Sequence, residues 1–196
     1  GAHLVEDAGV DKIGFTGSTD VARSIARQLA ERDDDPVLIA ETGGQNAMIV
    51  DSSALPEQVT RDVVASAFQS AGQRCSALRV LFLQEDIADK VIAMLKGAMA
   101  ELVIGDPGQL ATDVGPVIDA EAQHRPDKHA AAIEKVGKKI DHRPLPEACS
   151  HGTYYTPCAV EIESLAQLKS ENFGAMLHVI RYRAKDLEKV VAEINA

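Results

Sequence analysis

Gly72-Gln73-Arg74-Cys75-Ser76-Ala77-Leu78-Arg79 joins two hydrophobic patterns of different period. Upstream, Val59, Val63, Ala67 and Phe68 recur at helical spacing, and Gly72 is the residue type that ends a helix. Downstream, residues 78–84 form a run rich in Leu, Val and Phe that reads as a strand. A lone cysteine sits in the join. Helix, short loop and buried strand in succession are the repeating unit of an α/β fold.

The alternation extends in both directions. Residues 46–50 read as a strand, and Asp51-Ser52-Ser53 as the cap of the helix that carries Val59. Further upstream, residues 12–17 are a short strand. Ser18, Thr19 and Asp20 supply cap chemistry for a helix with Val21, Ile25 and Leu29 on one face. Residues 36–40 are another apolar run, ending at Glu41 before Thr42-Gly43-Gly44, where two glycines let the backbone turn sharply. Downstream, apolar residues at Val91, Leu95, Ala98 and Leu102 place a helix over 88–102. The Asp, Pro, Gly and Thr content of 105–116 reads as loop, and 121–139 as a polar helical stretch. Residues 154–162 and 177–182 are strands, and Leu187, Val190, Val191 and Ile194 mark a last helix. The expectation is a mostly parallel sheet under helical cover.

Composition narrows the function. At 196 residues with 45% hydrophobic content, the chain can bury a real core. A formal net charge of −10 opposes a nucleic-acid or anionic-membrane role, because those partners need a positive field. No apolar run reaches the length of a membrane span, and no charged-then-apolar leader is present, so a cytoplasmic location is expected. Cys75, Cys149 and Cys158, three thiols far apart, do not form a disulfide framework. Cys149 and Cys158 with His142 and His151 match no compact zinc spacing, and no metal is expected. The chain opens on Gly1 without a methionine, and a piece of a longer protein is expected.

A free cysteine has a pKa of roughly 8.5, so a nucleophilic Cys75 needs positive charge or aligned N–H groups beside it, for which Arg74 and Arg79 are candidates. The competing reading is that Cys75 is a buried small hydrophobe, the commoner fate of a lone cysteine. Glu41 likewise reads as a solvated carboxylate at a strand end or as a general base.

Four motifs bear on that choice: FTGSTDVA, AETGGQNAMIV, SAGQRCSALRVL and ENFGAMLHVIRY. In this order, with comparable gaps, they cover nearly the whole chain, which resembles the aldehyde dehydrogenase superfamily. Within it, ETGGQNAMIVDSSAL and AGQRCSALRVL look most like the aldehyde dehydrogenase module of bifunctional proline utilisation flavoenzymes. The resemblance implies a three-layer α/β catalytic domain over residues 43–196, preceded over residues 1–42 by the tail of a Rossmann-like NAD-binding domain. It implies NAD-dependent oxidation of glutamate γ-semialdehyde, the hydrolysed form of Δ1-pyrroline-5-carboxylate, to glutamate. Cys75 would be the nucleophile, and Glu41 the base that activates water on the resulting thioester. Gly17, Ser18 and Thr19 would form the phosphate turn, Thr42 and Gly43 would line the nicotinamide, and Glu171 and Phe173 would hold the ribose. Arg74 and Ser76 would face the substrate, Ser76 meeting its α-carboxylate.

Two positions depart from the pattern. Ala22 stands where many members have glycine, and Ala175 replaces the proline usual after Gly174. The family's oxyanion amide, adenine-ribose lysine and oligomerisation arm lie outside the matching motifs. The implied parent is therefore a longer, oligomeric enzyme, with FAD only in a proline dehydrogenase domain upstream. The alternative is a noncatalytic structural or assembly piece. A cysteine hydrolase is disfavoured, because no histidine accompanies a recognisable hydrolase motif.

Overall fold

The computed structural model describes residues 1–133 and 135–196. The chain divides into two compact units, residues 1–44 and 45–196.

The first unit contains α1 (Ala2–Glu6), β1 (Lys12–Thr16), α2 (Thr19–Leu29) and β2 (Val37–Glu41). Its two strands pair in parallel, with Thr16 opposite Glu41. The expected cap is present: the Ser18 hydroxyl accepts the Val21 N–H at 3.3 Å and starts α2. Arg32 fastens the return to β2, donating to the carbonyls of Val5 at 2.9 Å and Val10 at 3.0 Å while pairing with Asp34. Val37 and Ile39 leave about half of their surface exposed on this two-stranded sheet.

The second unit holds β3 (Ala47–Val50), α3 (Pro56–Phe68), β4 (Val80–Gln84), α4 (Glu85–Glu101), α5 (Ala120–Ile133), β5 (Lys138–His142), β6 (Cys158–Ile162), β7 (Met176–Tyr182) and α6 (Leu187–Ile194). The strand order is β3-β4-β7-β6-β5, parallel except for β5, which runs antiparallel to β6. Val80, Leu81, Phe82 and Leu83 of β4 are fully buried, as a strand covered on both faces requires. Val63 and Ala67 of α3 and Ala88, Val91 and Leu95 of α4 are also fully buried and join the same core. Among the described residues no helix is long and apolar enough to cross a membrane.

Three expectations need correction. Asp51-Ser52-Ser53 does not cap α3: the Asp51 carboxylate accepts the Ser53 N–H at 2.8 Å, closing its own turn. The helix begins at Pro56, whose fixed φ and missing N–H suit a first position. The helical stretch expected over 121–139 ends at Ile133, and β5 follows from Lys138; residue 134 lies outside the described residues. The strand expected from 154 begins only at Cys158. A bridge between Ile104 and Val114 closes the loop expected over 105–116.

Candidate active site

Cys75 is exposed, whereas Cys149 and Cys158 are buried. The difference arises at the end of α3. There the chain turns through Gln69–Gly72, with Ser70, Ala71 and Gly72 at φ of 54°, 53° and 66°, three consecutive left-handed residues. Such a run cannot continue a right-handed helix and swings residues 73–77 away from it. A tight turn then returns the Ala77 N–H to the Arg74 carbonyl at 3.1 Å. Asn46, at the entry to β3, holds this turn from the other side. Its Nδ2 donates to the carbonyls of Cys75 at 2.6 Å and Ala77 at 2.9 Å.

Below the turn lies the guanidinium of Arg79, a side chain only 2% exposed. Nη1 donates to the Gly72 carbonyl at 2.8 Å and the Gly174 carbonyl at 2.9 Å, and Nη2 to the Arg74 carbonyl at 3.2 Å. Nε reaches the Glu171 carboxylate at 3.2 Å, and the guanidinium carbon stands 5.0 Å from the centre of the Phe173 ring. Burial pushes the Arg79 pKa down, and the Glu171 carboxylate opposes that shift. The two loops are in close backbone contact here. A Cβ on Gly72 would lie 2.2 Å from the Gly174 carbonyl oxygen.

Of the two arginines considered as neighbours for a thiolate, Arg79 therefore serves carbonyls and Glu171. Arg74 donates from Nε to the Ser70 hydroxyl at 3.0 Å. Arg74 and Ser76 line an open cleft of about 300 Å³ together with Asp62, Ser66 and Gln69. Ser76 is exposed and Phe173 is 40% exposed, so both can meet a ligand. In the second unit the structure thus gathers Arg74, Cys75, Ser76, Glu171 and Phe173 around Arg79 and Asn46.

In the first unit, Gly17, Ser18 and Thr19 form the turn between β1 and α2. The Gly17 N–H donates to the Glu41 carbonyl at 3.1 Å, which fixes the end of β2 beside that turn. Glu41 is exposed, Thr42 is half-buried and Gly43 is exposed.

Sequence reasoning saw Asn46 only as the start of a strand and Arg79 only as a source of charge. The available signal for Asn46 was a polar residue immediately before an apolar strand. For Arg79 it was a cation at the mouth of the apolar run 80–83.

Residues 1–196 match the aldehyde dehydrogenase family. The chain is 51% identical over 205 residues to the bifunctional protein PutA of Klebsiella aerogenes, covering 100% of this chain and 16% of that protein. It is likewise 51% identical over 203 residues to PutA of Rhizobium meliloti, again 100% of the chain and 16% of the relative. A crystal structure of Bradyrhizobium japonicum proline utilization A, mutant D779W, superposes with a TM-score of 0.94 at 52% identity. That match covers 99% of this chain and 20% of that one. The chain thus spans about a sixth of the length of these curated relatives. With a match over all its residues and the same α/β fold, the chain belongs to the aldehyde dehydrogenase family.

Proposed function

We propose that this chain supplies the nucleophile and part of the cofactor site of an NAD-dependent glutamate γ-semialdehyde dehydrogenase acting in proline catabolism. Residues 1–42 would form the end of the cofactor domain and residues 43–196 the thiol domain. The observation that carries the reading is the presentation of Cys75. It is the exposed cysteine of the chain, in a turn whose carbonyls are tied down by Asn46 and Arg79.

The residues present suit NAD. Glu171 offers a carboxylate 16% exposed and braced by Arg79, an acceptor suited to ribose hydroxyls, and Phe173 offers an exposed ring face beside it. At the start of α2 the N–H groups of Thr19 and Asp20 have no partner within the helix and suit a pyrophosphate. The Gly17 N–H is taken by the Glu41 carbonyl, whereas the Ser18 hydroxyl accepts from Val21 and keeps its own O–H to donate, so that hydroxyl and the Thr19 and Asp20 N–H groups would carry the anion. Thr42 and Gly43 would line the nicotinamide. NAD, when bound, supplies the hydride acceptor that makes the reaction an oxidation.

Cys75, as thiolate, adds to the aldehyde carbon, and its own N–H steadies the oxyanion that forms. The same sulfur then carries the acyl group as a thioester. Glu41, an exposed carboxylate at the end of β2, takes a proton from the water that hydrolyses the thioester and frees glutamate. Arg74 and Ser76, on the cleft beside Cys75, face the amino-acid end of the substrate.

In the longer protein that carries this chain, Cys75→Ala is expected to abolish semialdehyde oxidation. Retained activity would overturn the assignment. Glu41→Gln is expected to slow thioester hydrolysis more than acyl-enzyme formation, read as a larger pre-steady-state burst relative to turnover. Equal loss in both steps removes the base role.

A second reading is a noncatalytic structural or assembly piece. Calorimetry with NAD on the isolated chain separates the two: tight binding favours a self-sufficient cofactor site, and none favours the structural reading for the piece alone.

A further inference from the structure

We propose that Arg79 is a positioning residue that makes the thiol loop and the loop carrying Glu171 and Phe173 move as one, so that ligand contact at Glu171 and presentation of Cys75 are linked. The proposal rests on the assignment of Cys75 as nucleophile and of Glu171 as a cofactor contact.

One planar guanidinium serves both loops at once. From the thiol loop it takes the carbonyls of Gly72 and Arg74, and from the other loop the Gly174 carbonyl, the Glu171 carboxylate and the Phe173 ring. The side chain is 2% exposed, so carbonyls released from it would lose hydrogen bonds that water is not there to replace. The seam has no slack, because Gly72 and Gly174 meet without room for a Cβ. Displacing Glu171 therefore strains Arg79, and straining Arg79 loosens the Gly72 and Arg74 carbonyls that lead into Cys75. A lysine, with one ammonium in place of the fork, cannot hold both loops in this way. Linkage is reciprocal: whatever ligation at Glu171 does to the thiol, a change at the thiol does to the affinity at Glu171.

The test reads the thiol, not turnover. In the longer protein, without NAD, Cys75 is alkylated with iodoacetamide and followed by the mass of its peptide, while unfolding midpoints report the fold. Glu171→Gln preserves shape and removes the charge partner of Arg79. It is expected to change the Cys75 alkylation rate by roughly fivefold, the low end of coupling between linked sites. Arg79→Lys is expected to change that rate at least as much, and adding Glu171→Gln to it to have little further effect. A Glu171→Gln rate within about threefold of wild type overturns the proposal, because the contact between Glu171 and Arg79 would then not reach the thiol. Additive effects in the double variant overturn it as well. If Arg79→Lys does not fold, the Glu171→Gln labelling decides alone. Failure of the dehydrogenase assignment is seen separately, as oxidation surviving Cys75→Ala, and does not alter the labelling result.

Discussion

Ser76 sits one residue from the nucleophile, exposed on a cleft whose other polar groups are Arg74, Asp62, Ser66 and Gln69. A substrate that carries an α-carboxylate loses water from that group on binding, and a hydroxyl with nearby charge must replace it. Ser76→Ala in the longer protein is expected to raise KM for glutamate semialdehyde by the equivalent of about 1.5–3 kcal/mol, the range for a hydrogen bond to a charged group. An aliphatic aldehyde of similar length, with no carboxylate to hold, should be almost unaffected. Parallel loss on both substrates would mean that Ser76 only packs under the turn, and kinetics with the two aldehydes decide it. Arg74 already donates to Ser70, so its contribution to the carboxylate requires that contact to be shared or exchanged.

The join between α3 and β4 shows why identical substitutions at two glycines should act in opposite directions. Gly72 has φ of 66°, and its missing Cβ would collide with the Gly174 carbonyl. Alanine there pays the left-handed conformation, roughly 1–2 kcal/mol, and forces two loops apart. Gly97 lies exposed within α4 with nothing near its absent Cβ, so Gly97→Ala is expected to stabilise by roughly 0.5–1 kcal/mol through helix propensity. Urea unfolding midpoints that move together for both variants would contradict this account. The same join marks what the sequence could reveal. The apolar β4 follows from local pattern, but the helix expected to run to Gly72 ends at Phe68, and residue type alone favoured a buried cysteine over the exposed thiol. The grip on the turn does not follow from local pattern either, since Asn46 reaches across 29 and 31 residues and Arg79 across 92 and 95. Hydrophobic period carries no trace of such contacts. Pro56 overrode Asp51-Ser52-Ser53 as the start of α3 because Asp51 found a partner within its own turn. β5 escaped notice because Lys138, Lys139, Asp141 and His142 give an edge strand almost no apolar alternation.

Across the second unit, α5 and β7 bring His129 and His178 together, with their Nε2 atoms 2.8 Å apart and the rings edge to face. The His178 Nδ1 lies 3.1 Å from the Arg79 carbonyl, which can only accept, so neutral His178 carries its proton there. Its Nε2 then accepts from the Nε2–H of His129, and a second proton on His178 would set two donors against each other. Burial is the main cause that lowers the His178 pKa to about 4, the neighbouring His129 adding to it, and burial also lowers that of His129. Both groups bind protons more readily when unfolded, so their contribution is complete above an unfolded pKa of about 6.5 and declines as pH falls below it, that of His178 being lost toward pH 4. For His178 alone the loss amounts to about 3 kcal/mol over that window, at about 1.4 kcal/mol per pH unit. Because His178 also backs the residue that braces Cys75, acid should loosen the thiol turn before the rest of the sheet. The expected result is a fall in amide-exchange protection of β7 and of residues 73–79 between pH 6.5 and pH 4.5. In His178→Gln, which can accept from His129 and donate to the Arg79 carbonyl without titrating, that fall should shrink by about one proton's worth of slope. Equal slopes in the two proteins would assign the acid sensitivity to other groups and leave the histidine pair a packing contact.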